Sequence, residues 1–390
     1  MLVQGLLSIL AFAGTAFGEL VLDRFDNSGI NALGNWHGCD GSMSCQWNGD
    51  SLTIQSADTD NSFFTQFKGA CQDLGSFNDQ FLHIVCSGDK KFSVALTQNN
   101  NGCDMSRAPY PETWDIVNAE DYSNGEDIYI PMSHFNIMKS RTLGVALKAF
   151  RNPGASTTFS LIEIVDSAPG GVPEKKPTGP LYFSCTRPNS IAFGIDDGIP
   201  SLTEDMMKIV DSEGIKVTFF VVGNSLDNPD LPFKALYKRA LANGHQVGFH
   251  SYTHPKLEGL NSVSAIDDEF LRSHDAVMRN LGVDSRYFRA PYGTDGALTR
   301  QRLEATVPGT KIINWSVDIE DWIWGPNDPD RQQTLAVQRD LSKGGNLFVA
   351  HYLYISTVEQ LRQFIKDAKA TGKQIMRVDQ CLMDPNAPPL

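Results

Sequence analysis

Basic side chains are in deficit in this chain, with 33 Lys and Arg against 46 Asp and Glu and a formal net charge of −13. That balance disfavours nucleic acid or an anionic membrane as the main partner, because both reward clustered Lys and Arg. A neutral or cationic ligand fits it better. Long apolar runs are equally scarce. Residues Met1 to Gly18 form one uncharged apolar stretch, and nothing later approaches its length, so no membrane span is expected beyond it. The small residues Ala16 and Gly18 stand at the −3 and −1 positions of a cleavage site, and residues 1–18 read as a secretory signal peptide, although its start lacks the usual Lys or Arg. A short membrane anchor is the rival reading. A secreted protein, extracellular or in the cell wall, is the expectation.

Cysteine is sparse in the second half, where only Cys185 and Cys381 occur, whereas Cys39, Cys45, Cys71, Cys86 and Cys103 lie in the first. Export permits disulfides. The simplest arithmetic pairs Cys185 with Cys381 and leaves two bridges and one thiol among the other five, in a connectivity that sequence does not reveal.

The 390 residues suffice for two domains, each with its own core. From 19 to 166 no long helical pattern occurs. Short alternating runs at Ser51–Gln55, Phe81–Val85, Phe92–Leu96, Asp127–Ile130, Leu143–Leu147 and Phe159–Ile164, broken by Gly, Asn, Asp and Ser, predict an all-β sandwich of jelly-roll-like type. Such a domain can hold carbohydrate, and Trp36, Trp47, Tyr110 and Trp114 are the residues that could stack on sugar rings; filling the core is the competing role for each. The Pro/Gly-rich stretch 167–180 continues neither fold and marks a linker.

From 181 to 390 apolar strands alternate with amphipathic helices. Strands are expected at Ser190–Ile195, Lys216–Val222, Gln246–Phe249, Tyr287–Arg289, Lys311–Val317, Asn346–Ala350 and Gln374–Val378. Helical patterns fill the gaps at about Ser201–Glu213, Phe233–Asn243, Ser264–Leu281, Leu298–Thr306, Gln332–Ser342 and Thr357–Ala370. This grammar predicts a parallel sheet closed or nearly closed into a distorted (β/α)7 barrel. In a parallel barrel the loops after the strands form the active face. The chemically loaded residues fall in those loops: Asp196 and Asp197 after the first strand, His250 and His254 after the third, Arg289 to Gly293 at the fourth, Asp318 to Trp322 after the fifth and His351 after the sixth.

These residues carry a resemblance. The stretch from Asn189 to Cys381 is similar to the polysaccharide deacetylase superfamily, the NodB-homology domains of carbohydrate esterase family four that include chitin deacetylases and acetylxylan esterases. The family's T-F-D-D-G-P appears as Gly194-Ile195-Asp196-Asp197-Gly198-Ile199-Pro200, with one extra residue before the proline. H-[ST]-x-x-H-P is matched in full by His250 to Pro255, R-x-P-Y-G by Arg289 to Gly293, and Asp-x-x-Asp-Trp by Asp318 to Trp322. The last motif, L-x-H-D, becomes Val349-Ala350-His351-Tyr352 and loses its aspartate.

The resemblance implies a site. Asp197, His250 and His254 would give Zn2+, or Co2+ or another divalent ion, three protein ligands and leave positions open for water and a substrate carbonyl. Asp196 would be the general base and His351 the general acid. Arg289 would hold the base and Asp321 the acid. A backbone N–H near Tyr292 would help stabilise the oxyanion, and Trp322 and Val349 would line a pocket for the acetyl methyl. Asp318 reads as structural or as a loop cap, His245 and His274 as ordinary core or surface residues, and Trp324, Tyr352 and Tyr354 as a sugar platform or barrel packing. The one N-x-S/T sequon noted, Asn314-Trp315-Ser316, falls in a predicted buried strand and is expected to stay unmodified.

The implied activity is removal of N-acetyl groups from chitin or another N-acetylhexosamine polymer. An O-acetyl esterase acting on xylan would use the same residues, and the motifs alone do not choose. The ending Val378-Asp379-Gln380-Cys381-Leu382 resembles fungal chitin deacetylases and favours the N-acetyl substrate. An inactive carbohydrate-binding cell-wall protein is the reading from another class, kept open by Ile199 and Tyr352. No protein partner is indicated.

Overall fold

The computed structural model describes residues 19–41, 43–107 and 113–390. The expected leader at 1–18 and Tyr110 lie outside these described residues.

The N-terminal half holds two antiparallel sheets. One contains Leu20–Asp23, Ser44–Trp47, Leu52–Gln55, Phe81–Gly88, Ser123–Asn124, Asp127–Pro131 and Ser156–Val165; the other contains His37–Cys39, Phe63–Gln66, Ser93–Gln98, Thr113–Asn118 and Thr142–Lys148. All six expected strands are present. Of those not anticipated, Thr113–Asn118 has six residues and the rest four or fewer, and Ser44–Trp47 shows how such a strand escapes notice: it exposes every second residue and buries none fully. Alternate residues of both sheets, among them Leu52, Ile54, Ile84 and Phe159 from the first and Val94, Leu96, Val145 and Leu147 from the second, meet in one core. Trp47 packs on Phe25 and His37 of this half, whereas Trp36 is 51% exposed.

The second sheet also buries its other face. Ser93–Gln98 is buried at every position, and Ala95, Ile116 and Ala146 close against Ala297 of the C-terminal half. Polar fasteners surround that contact: Arg300 Nη1 lies 3.2 Å from Asp115, Arg151 Nη1 lies 3.6 Å from Glu258, and the Ala297 amide donates to Ser93 Oγ at 3.1 Å. Residues 167–180 carry no regular secondary structure.

The C-terminal half is a curled, nine-stranded parallel sheet. Its spatial order is Leu181–Tyr182, Lys311–Ile313, Tyr287–Phe288, Gln246–Phe249, Thr218–Val221, Ser190–Asp196, Leu347–His351 and Val317–Asp318, with Gln374–Met376 also paired to Ser190–Asp196. Helices Thr203–Ser212, Phe233–Ala242, Val263–Leu281, Ala297–Thr306, Gln332–Ser342 and Ile355–Ala370 match the six expected patterns.

Two expected strands need correction. Lys311–Val317 is not one strand: Lys311–Ile313 pairs near one end of the sheet and Val317–Asp318 beside Leu347–His351. The break at 314–316 has its own partners, since Ser316 Oγ accepts from the amides of Asn346 and Leu347 and the Asn314 carbonyl accepts from Arg289. Asn314 is 5% exposed, with no room for a glycan. The last strand ends at Met376, because Val378–Cys381 turns into a short helix capped by Arg377 and Gln380.

Bridges join Cys39 to Cys45, Cys71 to Cys103 and Cys185 to Cys381, and Cys86 is a buried free thiol. The Cys185–Cys381 bridge spans a sequence separation of 196 residues and fastens both ends of the C-terminal half. Its removal in Cys185→Ser/Cys381→Ser is expected to cost about 2–4 kcal/mol, visible as a lower denaturant midpoint; an unchanged midpoint would show that packing alone holds the two ends.

Candidate active site

The strand Ser190–Asp196 is buried throughout and delivers Asp196 and Asp197 to one rim of the sheet. Gln246–Phe249 and its following loop deliver His250 and His254 to the same rim, and Leu347–His351 delivers His351. The turns that aim these groups are conformationally costly. Asp197, Ser251, His254, Tyr292 and Glu320 all take positive φ, between 53° and 63°, without being glycine. Each such residue costs on the order of 1–3 kcal/mol, which the surrounding packing must offset.

Asp197 Oδ1 lies 3.6 Å from His250 Nε2 and 3.5 Å from His254 Nε2, and it is buried without a hydrogen-bond partner among the described residues. Mutual separations within 4.8 Å allow the three side chains to reach one ion. His250 Nδ1 donates to the Arg289 carbonyl at 2.7 Å, which leaves Nε2 as the free lone pair. Burial drives the His250 pKa down to about 3, so this imidazole stays neutral. An orphaned carboxylate oxygen facing two imidazole nitrogens is a donor set that fits a divalent metal.

Asp196 sits beside this set, 1% exposed, with Oδ1 held by Arg289 Nη1 at 2.8 Å and Oδ2 4.0 Å from His250 Nε2. Burial pushes its pKa up, against the pull of Arg289 and His351. Arg289 is completely buried and also donates to the carbonyls of Ile313, Asn314 and Phe348. A Cβ on Gly194 would fall 2.5 Å from Arg289 Nη2, so only glycine leaves the guanidinium its place.

Across the site, His351 Nδ1 donates to Asp321 Oδ1 at 2.8 Å, and the His351 amide donates to Asp321 Oδ2 at 2.6 Å. Burial is the largest single influence and lowers the imidazole pKa, but the charge and hydrogen bond of Asp321, joined by the charges of Asp196 and Asp197, raise the value to about 10. His351 is therefore an imidazolium at neutral pH.

The two departures from the motif pattern prove to be neighbours. Tyr352 is buried, and its hydroxyl lies 2.8 Å from that of Tyr237, which in turn donates to the Asp197 carbonyl at 3.3 Å. The Ile199 amide bonds the Tyr352 carbonyl at 3.4 Å, and Gly198, at φ 121°, passes so close to the Tyr352 ring that a Cβ would overlap it. The extra residue and the tyrosine thus build one support beneath Asp197.

A cavity of about 450 Å³ opens over these groups. Asp196, Asp197, His250, His254, Tyr292, Trp322, Val349 and His351 all line it, while Arg289 and Asp321 stand behind the residues they hold. Asp318 also lines it, although the sequence suggested only a structural part; it does accept the Glu320 amide at 2.7 Å, and burial raises its pKa to about 6. Trp315, Leu353, Asp60 and Lys256 were not anticipated as wall residues. Trp315 reaches the cavity because its strand breaks there, and Asp60 belongs to the other half of the chain, where no motif pointed.

A polysaccharide deacetylase family model matches residues 183–306. The chitin deacetylase of Pestalotiopsis sp is 30% identical over 217 residues, which cover 54% of this chain and 70% of that relative. This chain belongs to the polysaccharide deacetylase family. Another polysaccharide deacetylase relative, the peptidoglycan-N-acetylglucosamine deacetylase PgdA of Listeria monocytogenes, is 32% identical over 192 residues, 49% of this chain and 38% of that protein. The chain thus spans well under half of that relative's length. The chitin deacetylase of Colletotrichum lindemuthianum is 29% identical over 244 residues, covering 59% of this chain and 94% of the relative. Its solved structure aligns with a TM-score of 0.49 at 28% identity, over 54% of this chain and 94% of that chain.

Proposed function

We propose that this chain is a secreted, metal-dependent polysaccharide deacetylase that hydrolyses N-acetyl groups of chitin-like or other N-acetylhexosamine polymers. The observation that carries the reading is the orphaned Asp197 Oδ1 between His250 Nε2 and His254 Nε2, flanked by a carboxylate held by Arg289 and an imidazolium held by Asp321. The chitin and peptidoglycan N-acetylglucosamine deacetylases among its relatives support an amide substrate. Three disulfides support an oxidising, extracytoplasmic setting. Among the described residues no helix is long and apolar enough to cross a membrane.

Zn2+, Co2+ or another divalent ion, held by Asp197, His250 and His254, would supply Lewis-acid polarisation of the acetyl carbonyl and of the attacking water. The residues around it divide the proton work. Asp196 accepts the proton of the attacking water, and its raised pKa suits a base that must later release that proton. Arg289 fixes the carboxylate so that Oδ2 faces the cavity. A backbone N–H near Tyr292 helps stabilise the oxyanion. His351 protonates the departing amine from the other side, and Trp322 and Val349 enclose the acetyl methyl.

Acetate release tests this directly, using N-acetylchito-oligosaccharides and acetylxylan with and without chelator. Release from the chito-oligosaccharides that is lost with chelator and restored by zinc or cobalt is the expected result. Release from acetylxylan alone would make the chain an esterase, and no release from either would leave a carbohydrate-binding protein.

A further inference from the structure

The wall that Asp60 contributes leads to a second hollow, of about 140 Å³, between the two halves of the chain. It shares Asp60, Tyr292 and Gly293 with the catalytic cavity, so the two adjoin. The loop bearing Asp60 is tightly fixed: Lys256 Nζ pairs with Asp58 Oδ2 at 2.6 Å and with Asp60 Oδ2 at 2.5 Å, and Thr294 Oγ1 donates to Asp60. Tyr292, 58% exposed, stands on the boundary with its ring against His254.

Two polar groups of this hollow, on Thr59 and Lys148, are unspent. Thr59 is 5% exposed, and its hydroxyl has no hydrogen-bond partner among the described residues. Lys148, at the end of strand Thr142–Lys148, holds its ammonium 4.8 Å from the Trp114 ring centre and 5.7 Å from that of Phe64, with no hydrogen bond or ion pair among the described residues. Asp295, 4% exposed, accepts one long bond from Asn314 Nδ2 at 3.4 Å, and burial raises its pKa to about 7. Leaving buried donors and acceptors unmatched is costly unless something matches them. Aromatic edges beside an ammonium without an ion pair, an unmatched hydroxyl and a buried carboxyl form the lining that a sugar ring with its hydroxyls would satisfy.

We propose that this hollow is a second sugar-binding position, built jointly by the sandwich and the barrel, which takes a unit of the polymer next to the one deacetylated. The proposal rests on the deacetylase reading for the identity of the chain it binds. In it Lys148 and Thr59 bond sugar hydroxyls, Asp295 accepts from another, and Tyr292 separates the two positions. The sandwich is then part of the specificity apparatus, although the family motifs lie wholly in the other half.

The test is a length series of N-acetylchito-oligosaccharides from one to five units, assayed for kcat/KM of acetate release with the full chain, Lys148→Met and Thr59→Val. The full chain should show a step of about tenfold or more at the length that first reaches the hollow, and each variant should flatten that step while keeping its melting temperature. Parallel length profiles in all three proteins would overturn the proposal. Calorimetric titration of the same series into Asp196→Asn, with and without Lys148→Met, reads binding apart from turnover. A step in affinity that Lys148→Met removes supports the second position even if no acetate is ever released, in which case the proposed activity alone falls. Affinity insensitive to Lys148→Met overturns the second position and leaves the activity standing.

Discussion

Asp196→Asn is expected to lower acetate release by about 10²–10⁴-fold, the range over which a positioned general base contributes, while the protein still binds one divalent metal. The substitution is nearly isosteric, and the buried guanidinium of Arg289 keeps its three carbonyl partners after losing the carboxylate. What disappears is the ability of the Oδ2 position to take a proton. Asp197→Asn should do the opposite in the binding assay, because Asp197 Oδ1 is the atom both imidazoles face. Metal content and activity measured on the two variants therefore separate the roles. Loss of metal in Asp196→Asn with retention in Asp197→Asn would mean that the adjacent aspartates have been assigned in reverse.

The second large effect is expected at Asp321. Asp321→Asn should reduce kcat by about 10²–10³-fold at pH 8 and shift the alkaline limb of the pH–rate profile to lower pH. The sign follows from the charge. A general acid must carry its proton, so activity falls as pH rises through its pKa. Against the lowering effect of burial, Asp321 contributes most to holding the His351 pKa at about 10, with smaller help from Asp196 and Asp197. Replacing that carboxylate by a neutral amide removes the charge that favours imidazolium, leaves burial unopposed by Asp321, and lets the proton leave at lower pH. His351→Ala should lower the rate at every pH and remove that limb. An alkaline limb unmoved in Asp321→Asn would exclude His351 as the group that titrates there.

The site was legible because its chemistry sits in short, contiguous motifs at strand ends. Asp197, His250 and His254 converge as expected, and Arg289 and Asp321 stand behind Asp196 and His351. Strands and helices of the second half were legible for a related reason, since each buries a continuous or evenly periodic apolar face. The break at 314–316 was not, because Lys311–Val317 keeps strand-like composition and only pairing across the sheet divides it. Short edge strands such as His37–Cys39 escaped because three residues carry too little alternation to stand out. Asp60, Thr59 and Lys148 were invisible for a deeper reason: each lies far in sequence from the motif residues it approaches, and nothing local in a loop or strand end announces a contact made across an interface. Tyr352 and Ile199 looked like two erosions of the pattern, yet Gly198 admits the tyrosine ring and the Ile199 amide bonds its carbonyl.

The contact between the halves bears on what counts as the unit of this protein. Glu258 is fully buried beside Arg151, and Arg300 reaches Asp115, so each half supplies the countercharge for the other. Residues 181–390 carry every family motif, but cutting there would strand Glu258 and Arg300 without the charges that face them and open the face around Ala297 to water. The sandwich is accordingly not a detachable sugar-binding appendage that could be exchanged between enzymes at the linker. Recombination at 167–180 would have to carry the complementary charges with it.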